Sequence, residues 1–286
     1  MSESLKFKET LKEEKAVPIG VDIGYCDYEE ALRAFQEFMQ LPETIVEASR
    51  FKLREQDKSL FGAFERRVGS ASPEARGLAQ DNKDIFHFGS LTRQVMEYRL
   101  GKNLPAEAKW FLSTAEDIYW AGLRSTKEAF ELLDTEKMGL VGIHFDERAN
   151  LNHHLRFIAY YPREGDILAT PHYDRSVGTV AMAESKPGLW IEVDEKKQYV
   201  ENRKPDEGLF FLGAGWDKLP DRYRHGNYDL RPTMHGVDQI DSESDQGGVM
   251  RWAIILFSNP IELDTVPLPE ETRPHRAFGQ EVFAAM

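Results

Sequence analysis

The stretch that decides the fold is a short predicted strand entered through a proline–glycine turn, Pro187-Gly188-Leu189-Trp190-Ile191-Glu192-Val193. Four further segments of the same kind, short and rich in β-branched or aromatic residues, lie on either side of it: 155–161, 179–183, 208–212 and 252–257. Turn residues separate these segments, at 162–165, 206–208 and 247–248. Many short strands divided by turns are typical of an antiparallel sandwich or jelly roll. The pattern therefore predicts a mainly β core in the second half of the chain.

The first half of the chain carries helical patterns instead. Asp27 and Glu30 have the spacing of a capping box and precede an apolar helical stripe. A longer helix is predicted over 105–133, because its apolar residues recur every three or four positions and would pack on the sheet. We therefore expect an α+β protein in three parts: a mainly helical region 1–140, a β core 141–262 and a C-terminal tail 263–286.

The composition excludes several classes of protein. Of 286 residues, 41% are hydrophobic, which is too many for a disordered chain. A net charge of -13 repels phosphate backbones, so we expect no nucleic-acid partner. No apolar run approaches the roughly 18 residues of a membrane span, and the N-terminus lacks the apolar segment of a secretory signal. Cys26 is the single cysteine, so neither a disulfide nor a multi-cysteine metal site can form, and the cytoplasm is the expected compartment.

A candidate metal centre is suggested by His172-Tyr173-Asp174. Alternate side chains of a strand point to the same side, so the imidazole and the carboxylate could converge on one ion. His235 is the expected third ligand, and His225, in a charged loop-like stretch, is the alternative. Two histidines and one carboxylate form the facial arrangement of non-haem Fe(II) oxygenases, which leaves coordination positions open. By itself the His-x-Asp pattern is weak, since a strand histidine beside a solvated aspartate would look the same.

Arg251 begins the apolar run that ends at Phe257. If its guanidinium points inward, it needs an anionic partner. A dicarboxylate is one candidate, because a guanidinium binds a carboxylate through two parallel hydrogen bonds. A salt bridge to an internal acid is the other.

The order and spacing of these motifs over 155–260 resemble a known family, the isopenicillin N synthase-like branch of the 2-oxoglutarate/Fe(II) dioxygenases. The segments that carry the resemblance are Leu155-Arg156-Phe157 before Tyr160-Tyr161-Pro162, His172-Tyr173-Asp174 with Thr179, Pro187-Gly188-Leu189, Gly208-Leu209-Phe210-Phe211-Leu212-Gly213, Thr233-Met234-His235-Gly236-Val237, and Arg251 to Pro260.

The resemblance implies a double-stranded β-helix (jelly roll) with N-terminal helices packed on it. It implies Fe(II) held by the catalytic residues His172, Asp174 and His235, and 2-oxoglutarate as the co-substrate. A small molecule would be hydroxylated, desaturated or cyclised with O2, with release of succinate and CO2. The resemblance also implies co-substrate binding by three residues: Arg251, Tyr161 and Thr179.

Two positions depart from the family pattern. Ala253 stands where the family usually has the serine of Arg-x-Ser, and Ala159-Tyr160-Tyr161 stands where it often has Asn-x-Tyr. We expect Tyr161 to keep the tyrosine role. The missing serine leaves open a family member that uses iron and O2 without 2-oxoglutarate. A non-catalytic jelly-roll binding protein is a third hypothesis, but a decaying site would be expected to lose one of the metal ligands or Arg251.

Overall fold

A computed structural model gives the fold of the chain. The residues that it describes are 2–23, 28–48, 64–66, 83–134, 139–145, 153–161, 167–200, 204, 206–224, 226–227, 229–240 and 248–259. The predicted capping residue Asp27 and the predicted tail 263–286 lie outside these ranges.

Six α-helices are formed by the described residues. They are α1 (Glu3–Glu13), α2 (Tyr28–Met39), α3 (Glu43–Glu47), α4 (Thr92–Leu100), α5 (Ala106–Leu133) and α6 (Leu140–Phe145). The long helix α5 follows Pro105, which suits the start of a helix because proline lacks the N–H that would be unpaired there. This helix agrees with the prediction over 105–133.

Eleven strands follow the chain through the described residues. They are β1 (Val17–Gly20), β2 (Phe64–Arg66), β3 (Lys83–Phe88), β4 (His154–Tyr160), β5 (Ile167–His172), β6 (Gly178–Glu184), β7 (Leu189–Val193), β8 (Lys196–Tyr199), β9 (Glu207–Leu212), β10 (His235–Asp238) and β11 (Arg251–Ser258). Each of the five strands predicted from the sequence is present, with ends that differ by at most one residue.

The strands form two antiparallel sheets. The larger has seven strands in the order β1-β9-β6-β11-β4-β3-β2, and the smaller has four in the order β5-β10-β7-β8. Three strands of the larger sheet, β1, β2 and β3, come from the region before residue 140. The N-terminal region is therefore part of the main sheet as well as the source of the helices, and the boundary near residue 140 is a change in pattern rather than a break in the sheet.

The larger sheet has a helix-facing side and an inner side. On the helix side, Phe157 of β4 packs against Phe111 of α5, with ring centroids 5.0 Å apart, and Phe111 in turn packs against Phe38 of α2 at 4.6 Å. On β11, Trp252 and its alternate neighbours belong to this same helix-side core. The prediction that α5 packs on the sheet is confirmed.

A second apolar core lies on the inner side of the larger sheet. It includes Ala253 of β11, Ile158 of β4, Phe211 of β9 and, from the smaller sheet, Val237 of β10. Because side chains alternate along a strand, Arg251 shares the inner side with Ala253. The two sheets therefore enclose an interior into which both the small sheet and β11 project side chains. Among the described helices, none is both long and apolar enough to cross a membrane.

Candidate metal centre

The three predicted ligands lie together at one end of the smaller sheet. His172, the last residue of β5, is directly opposite His235, the first residue of β10, and their rings are 4.5 Å apart. Asp174 lies two residues beyond the end of β5. Its two carboxylate oxygens are each 3.5 Å from one imidazole, Oδ1 from Nε2 of His172 and Oδ2 from Nε2 of His235. One nitrogen or oxygen from each residue thus lies within 4.8 Å of the others, as a shared ion would require.

The backbone fixes the protonation of both imidazoles. Nδ1 of His172 is 2.8 Å from the carbonyl oxygen of Thr170, and Nδ1 of His235 is 3.1 Å from that of Thr233. A carbonyl oxygen can only accept, so in each ring Nδ1 carries the proton and donates it. The Nε2 lone pairs are left for the ion, which is the arrangement that protein metal sites use to orient histidine ligands.

A short chain of hydroxyls holds the carboxylate of Asp174. The hydroxyl of Thr179 donates to Oδ2 at 2.8 Å, and the hydroxyls of Ser176 and Thr179 are also 2.8 Å apart. Because the proton of Thr179 is used on Asp174, the hydroxyl of Ser176 must donate to Thr179. Both hydroxyl residues are buried. Thr179, expected at the co-substrate, is therefore placed behind the metal carboxylate, where it orients Asp174.

The loop that carries Asp174 is held by the end of strand β9. Backbone N–H groups of Gly213, Ala214 and Gly215 donate to carbonyl oxygens of residues 174–177 at 2.6–3.1 Å. A Cβ on Gly213 would overlap the carbonyl oxygen of Ser176 and lie 2.8 Å from that of Asp174. Only glycine allows this close approach of two backbones, which explains the glycine that ends the motif at 208–213.

Burial and mutual attraction shift the pKa values of the ligands. Burial raises the pKa of Asp174, but the imidazoles of His235 and His172 and the hydroxyl of Thr179 outweigh it, so this pKa lies well below its ordinary range. Burial lowers the pKa of His235 to about 4, despite the opposing attraction of Asp174. An ionised carboxylate and a neutral imidazole are the forms that bind metal ions.

The donor set fits a divalent transition metal. Two imidazole nitrogens and one carboxylate oxygen are the donor set of the facial arrangement in non-haem Fe(II) oxygenases. Within the described part of the chain, no second group of three histidine, cysteine or acidic side chains lies close enough to share an ion. His225, the alternative third ligand, lies outside the described residues.

Arg251 lies on the inner side of the larger sheet and is 3% exposed. Its Nη2 donates to a carboxylate oxygen of Glu184, and its Nε donates to the carbonyl oxygen of Lys186 at 3.0 Å. The guanidinium also lies 5.6 Å from the centre of the Tyr160 ring. The sequence left open whether Arg251 pairs with an internal acid, and the structure shows such a pair with Glu184. Its third nitrogen, Nη1, makes no hydrogen bond to any residue that the structure describes.

The tyrosine beside Arg251 is Tyr160, and the expectation for Tyr161 needs correction. Tyr160 lies directly opposite Arg251 in the sheet and is buried in the inner core. Tyr161 packs on the helix side, and its hydroxyl donates to Asp84 at 3.0 Å. The physical reason is the alternation of side chains, because a shift of one residue along a strand moves a side chain to the other side of the sheet.

Lys83 is a residue of this interior that the sequence analysis missed. It is 8% exposed. Strand β4 lies between β3 and β11, and its Tyr160 is opposite Lys83 of β3 and also opposite Arg251 of β11. Lys83 shares its side of strand β3 with Ile85, which belongs to the inner core, but all six residues of this strand are buried, so its local sequence shows no alternation that would reveal Lys83.

Four other histidines of the described residues lie outside the proposed metal centre. His144 and His153 are buried away from the metal centre, and Nε2 of His153 donates to the backbone carbonyl of His144 at 2.6 Å. Their rings stack on phenylalanine rings, His144 on Phe130 and His153 on Phe145, which is a structural role. His87 and His154 lie on neighbouring strands with ring centroids 6.5 Å apart.

Comparison with known proteins gives matches in structure alone. No protein-family model and no curated protein sequence matches the chain. A full-length protein of Neurospora crassa, solved in complex with alpha-KG (2-oxoglutarate), is 17% identical with a TM-score of 0.61, over 98% of this chain and 90% of that one.

Two further structures are similar. The dioxygenase for auxin oxidation 1 from Arabidopsis thaliana, solved with 2-oxoglutarate, is 13% identical with a TM-score of 0.61, over 94% of this chain and 91% of that one. JOX2, solved with 2OG, Fe and JA, is 15% identical with a TM-score of 0.60, over 94% and 74%. At these identities the likeness establishes a shared fold.

Proposed function

We propose that this protein is an Fe(II)- and 2-oxoglutarate-dependent oxygenase that oxidises a small molecule with O2. The observation that carries the proposal is the cluster of His172, Asp174 and His235, in which Nε2 of each imidazole lies 3.5 Å from an oxygen of the carboxylate and one ligand atom from each residue lies within 4.8 Å of the others. Residues with this chemistry hold Fe(II) and leave three coordination positions open for reactants. The three structures of similar fold are described as complexes with 2-oxoglutarate, and one of them also with iron.

The strand order supports a double-stranded β-helix as the core. Strands β4, β6, β9 and β11 belong to the larger sheet, whereas β5, β7, β8 and β10 form the smaller one. The chain therefore passes back and forth between two four-stranded layers, which is how a jelly roll is wound. In such a core the metal ligands at the end of β5 and the start of β10 would face the opening between the layers.

Arg251 is the proposed anchor for the distal carboxylate of 2-oxoglutarate. It projects from the first position of β11 into the same interior as the metal ligands, and Nη1 remains available for a carboxylate. Charge-assisted pairs of this kind are about twice as strong as neutral hydrogen bonds. We propose Tyr160, rather than Tyr161, as the aromatic residue beside that anchor.

The residues around the proposed metal centre have distinct roles. His172, Asp174 and His235 would hold the metal from one side, and Thr179 and Ser176 keep the carboxylate oriented. Apolar side chains of the inner core, such as Phe211 with its ring 4.8 Å from that of His235, would limit the access of water to the metal. When bound, Fe(II) and the keto acid supply the oxidising power from O2, with succinate and CO2 as by-products. The substrate would be hydroxylated, desaturated or cyclised, and the single cysteine suits the cytoplasm as its compartment.

A second candidate is an Fe(II)/O2 oxidase that does not use 2-oxoglutarate. Two observations favour it: Glu184 already pairs with Arg251, and Ala253 offers no hydroxyl to a keto acid. A non-catalytic binding protein is harder to reconcile with the hydrogen bonds that orient all three metal ligands.

The test is formation of succinate from 2-oxoglutarate by the Fe(II)-loaded protein, with ascorbate, in air and under argon. We expect O2-dependent succinate in the wild type and none above background in His235→Ala or Asp174→Ala. O2 consumption that does not change when 2-oxoglutarate is omitted would favour the oxidase. Iron bound without any O2-dependent product above the Asp174→Ala background would contradict both enzymatic functions.

A further inference from the structure

A second cation, Lys83, lies at the same level of the larger sheet as Arg251. In the register of the three strands, Lys83 of β3 is opposite Tyr160 of β4, and Tyr160 is opposite Arg251 of β11. All three side chains project to the inner side, and all three are buried. A row across three neighbouring strands therefore reads cation, aromatic ring, cation.

Both cations approach the same aromatic ring. Nζ of Lys83 is 5.8 Å from the centre of the Tyr160 ring, and Cζ of Arg251 is 5.6 Å from it. These distances are within the range of about 6 Å in which a ring attracts a cation. The ring of Tyr160 thus contacts both long side chains. A lysine with as little exposure as Lys83 is uncommon, because its ammonium loses its water on burial.

Strand β11 alone offers a keto acid fewer hydrogen-bond donors than the Arg-x-Ser pattern of the family would. Two of the three nitrogens of Arg251 are engaged, by Glu184 and by the backbone of Lys186. Ala253, which projects to the same side two residues later, has no hydroxyl. A donor from a neighbouring strand would make up for both.

We propose that Lys83 binds the distal carboxylate of the 2-oxo acid together with Arg251, and so supplies the contact that Ala253 lacks. This inference rests on the proposed function. Lys83 comes from β3, outside the eight strands of the proposed jelly roll, so the N-terminal region would contribute directly to the co-substrate site. The ammonium acts as a point charge with three donors, which suits a carboxylate that is already held on one side by a guanidinium.

The experiment titrates anaerobic Fe(II) protein with 2-oxoglutarate and follows the metal-to-ligand charge-transfer absorption. Lys83→Met keeps the apolar stem without the charge, Lys83→Arg keeps a charge, and Lys127→Met on the exposed side of α5 is the matched control. We expect Lys83→Met to raise the Kd at least tenfold, Lys83→Arg to restore most of the affinity, and Lys127→Met to have no effect. 2-Oxopentanoate, which has the same carbon chain without the distal carboxylate, should bind wild type and Lys83→Met equally.

The outcomes separate the inference from the function on which it rests. If the wild type gives a charge-transfer band and Lys83→Met has an unchanged Kd for 2-oxoglutarate, the role of Lys83 is wrong although the function stands. An equal loss of affinity for both keto acids would mean that Lys83 only supports the fold, and would also overturn the inference. If Lys83→Met does not fold, Lys83→Gln and Lys83→Arg give the same comparison. No band in the wild type removes the proposed function and the inference with it.

Discussion

The hydroxyl of Thr179 is the most informative single atom to remove. Thr179→Val keeps the shape of the side chain and deletes the proton that is donated to Oδ2 of Asp174 at 2.8 Å. Both groups are buried, so the carboxylate would lose a charge-assisted hydrogen bond worth about 1.5–3 kcal/mol. We expect the free energy of unfolding of the metal-free protein to fall by about that amount. Hydrogen bonds to metal ligands from outside the coordination sphere typically change metal affinity about 10–100-fold, and we expect a loss in this range.

The assays are urea unfolding of the metal-free protein and anaerobic competition for Fe(II) with a chelator. Two controls belong with them. Thr179→Ser keeps the hydroxyl and should retain most of the metal affinity. Ser176→Ala removes a hydrogen bond between two neutral hydroxyls, worth about 1 kcal/mol, and should have a smaller effect on Fe(II) binding. If Thr179→Val binds Fe(II) as the wild type does, or if Ser176→Ala weakens binding equally, the proposed positioning of Asp174 is refuted.

Three other predictions follow from the same geometry. Arg251→Ala should nearly abolish 2-oxoglutarate turnover, whereas Ala253→Ser should leave the Kd of 2-oxoglutarate unchanged or lower it up to about fivefold, by about 1 kcal/mol; equal turnover by Arg251→Ala and wild type would contradict this. Because Asp174 would provide a carboxylate to the metal, product analysis by mass spectrometry in the presence of chloride should find no chlorinated product. Burial lowers the pKa of His144 to about 3 and that of His153 to about 4, so only the unfolded chain binds protons at these residues between those values and the ordinary value near 6.5. Their contribution to stability is therefore constant above about pH 7 and declines as the pH falls. The free energy of unfolding in urea should decrease between pH 7 and pH 5 by about 2 kcal/mol less in His144→Leu than in the wild type. An equal decrease in the two proteins would show that His144 is not held neutral.

The cluster that we propose as the metal centre could be predicted from sequence because its signal is local. His172 and Asp174 are two residues apart at the end of a strand, and His235 begins a strand that pairs with it. The structure brings the three together as expected. The β core was also readable, because turns such as Pro187-Gly188 separate strands of clear composition. The mixture of helices with antiparallel sheets is confirmed by the structure and by its similarity to proteins of known fold.

The surroundings of Arg251 could not be predicted, because they depend on register. Tyr160 and Tyr161 are identical in type and adjacent in sequence, and only the pairing of β4 with β11 decides which one faces the interior. Glu184 reaches Arg251 because β6 carries a bulge beside β11, which changes the side to which the end of the strand points. Neither the register of β4 nor the bulge in β6 can be recognised from the local sequence.

Lys83 shows a further limit of sequence reasoning. Its place in the interior results from strand β3 joining the edge of the core sheet beside β4. The sequence indicated helices for this half of the chain, so it gave no reason to place Lys83 on a strand of the core sheet. Predicting such a residue would have required the pairing of β3 with β4, which joins segments that are about 70 residues apart in the chain.

The most direct test of the central claim is the visible spectrum of the anaerobic wild-type protein with one equivalent of Fe(II) and added 2-oxoglutarate. A keto acid that chelates iron in a site of two histidines and one carboxylate gives a metal-to-ligand charge-transfer band. We predict a saturable band with one iron per chain, absent from His172→Ala, Asp174→Ala and His235→Ala. Saturated Fe(II) binding without any band at millimolar 2-oxoglutarate, or an undiminished band in His235→Ala, would contradict the account.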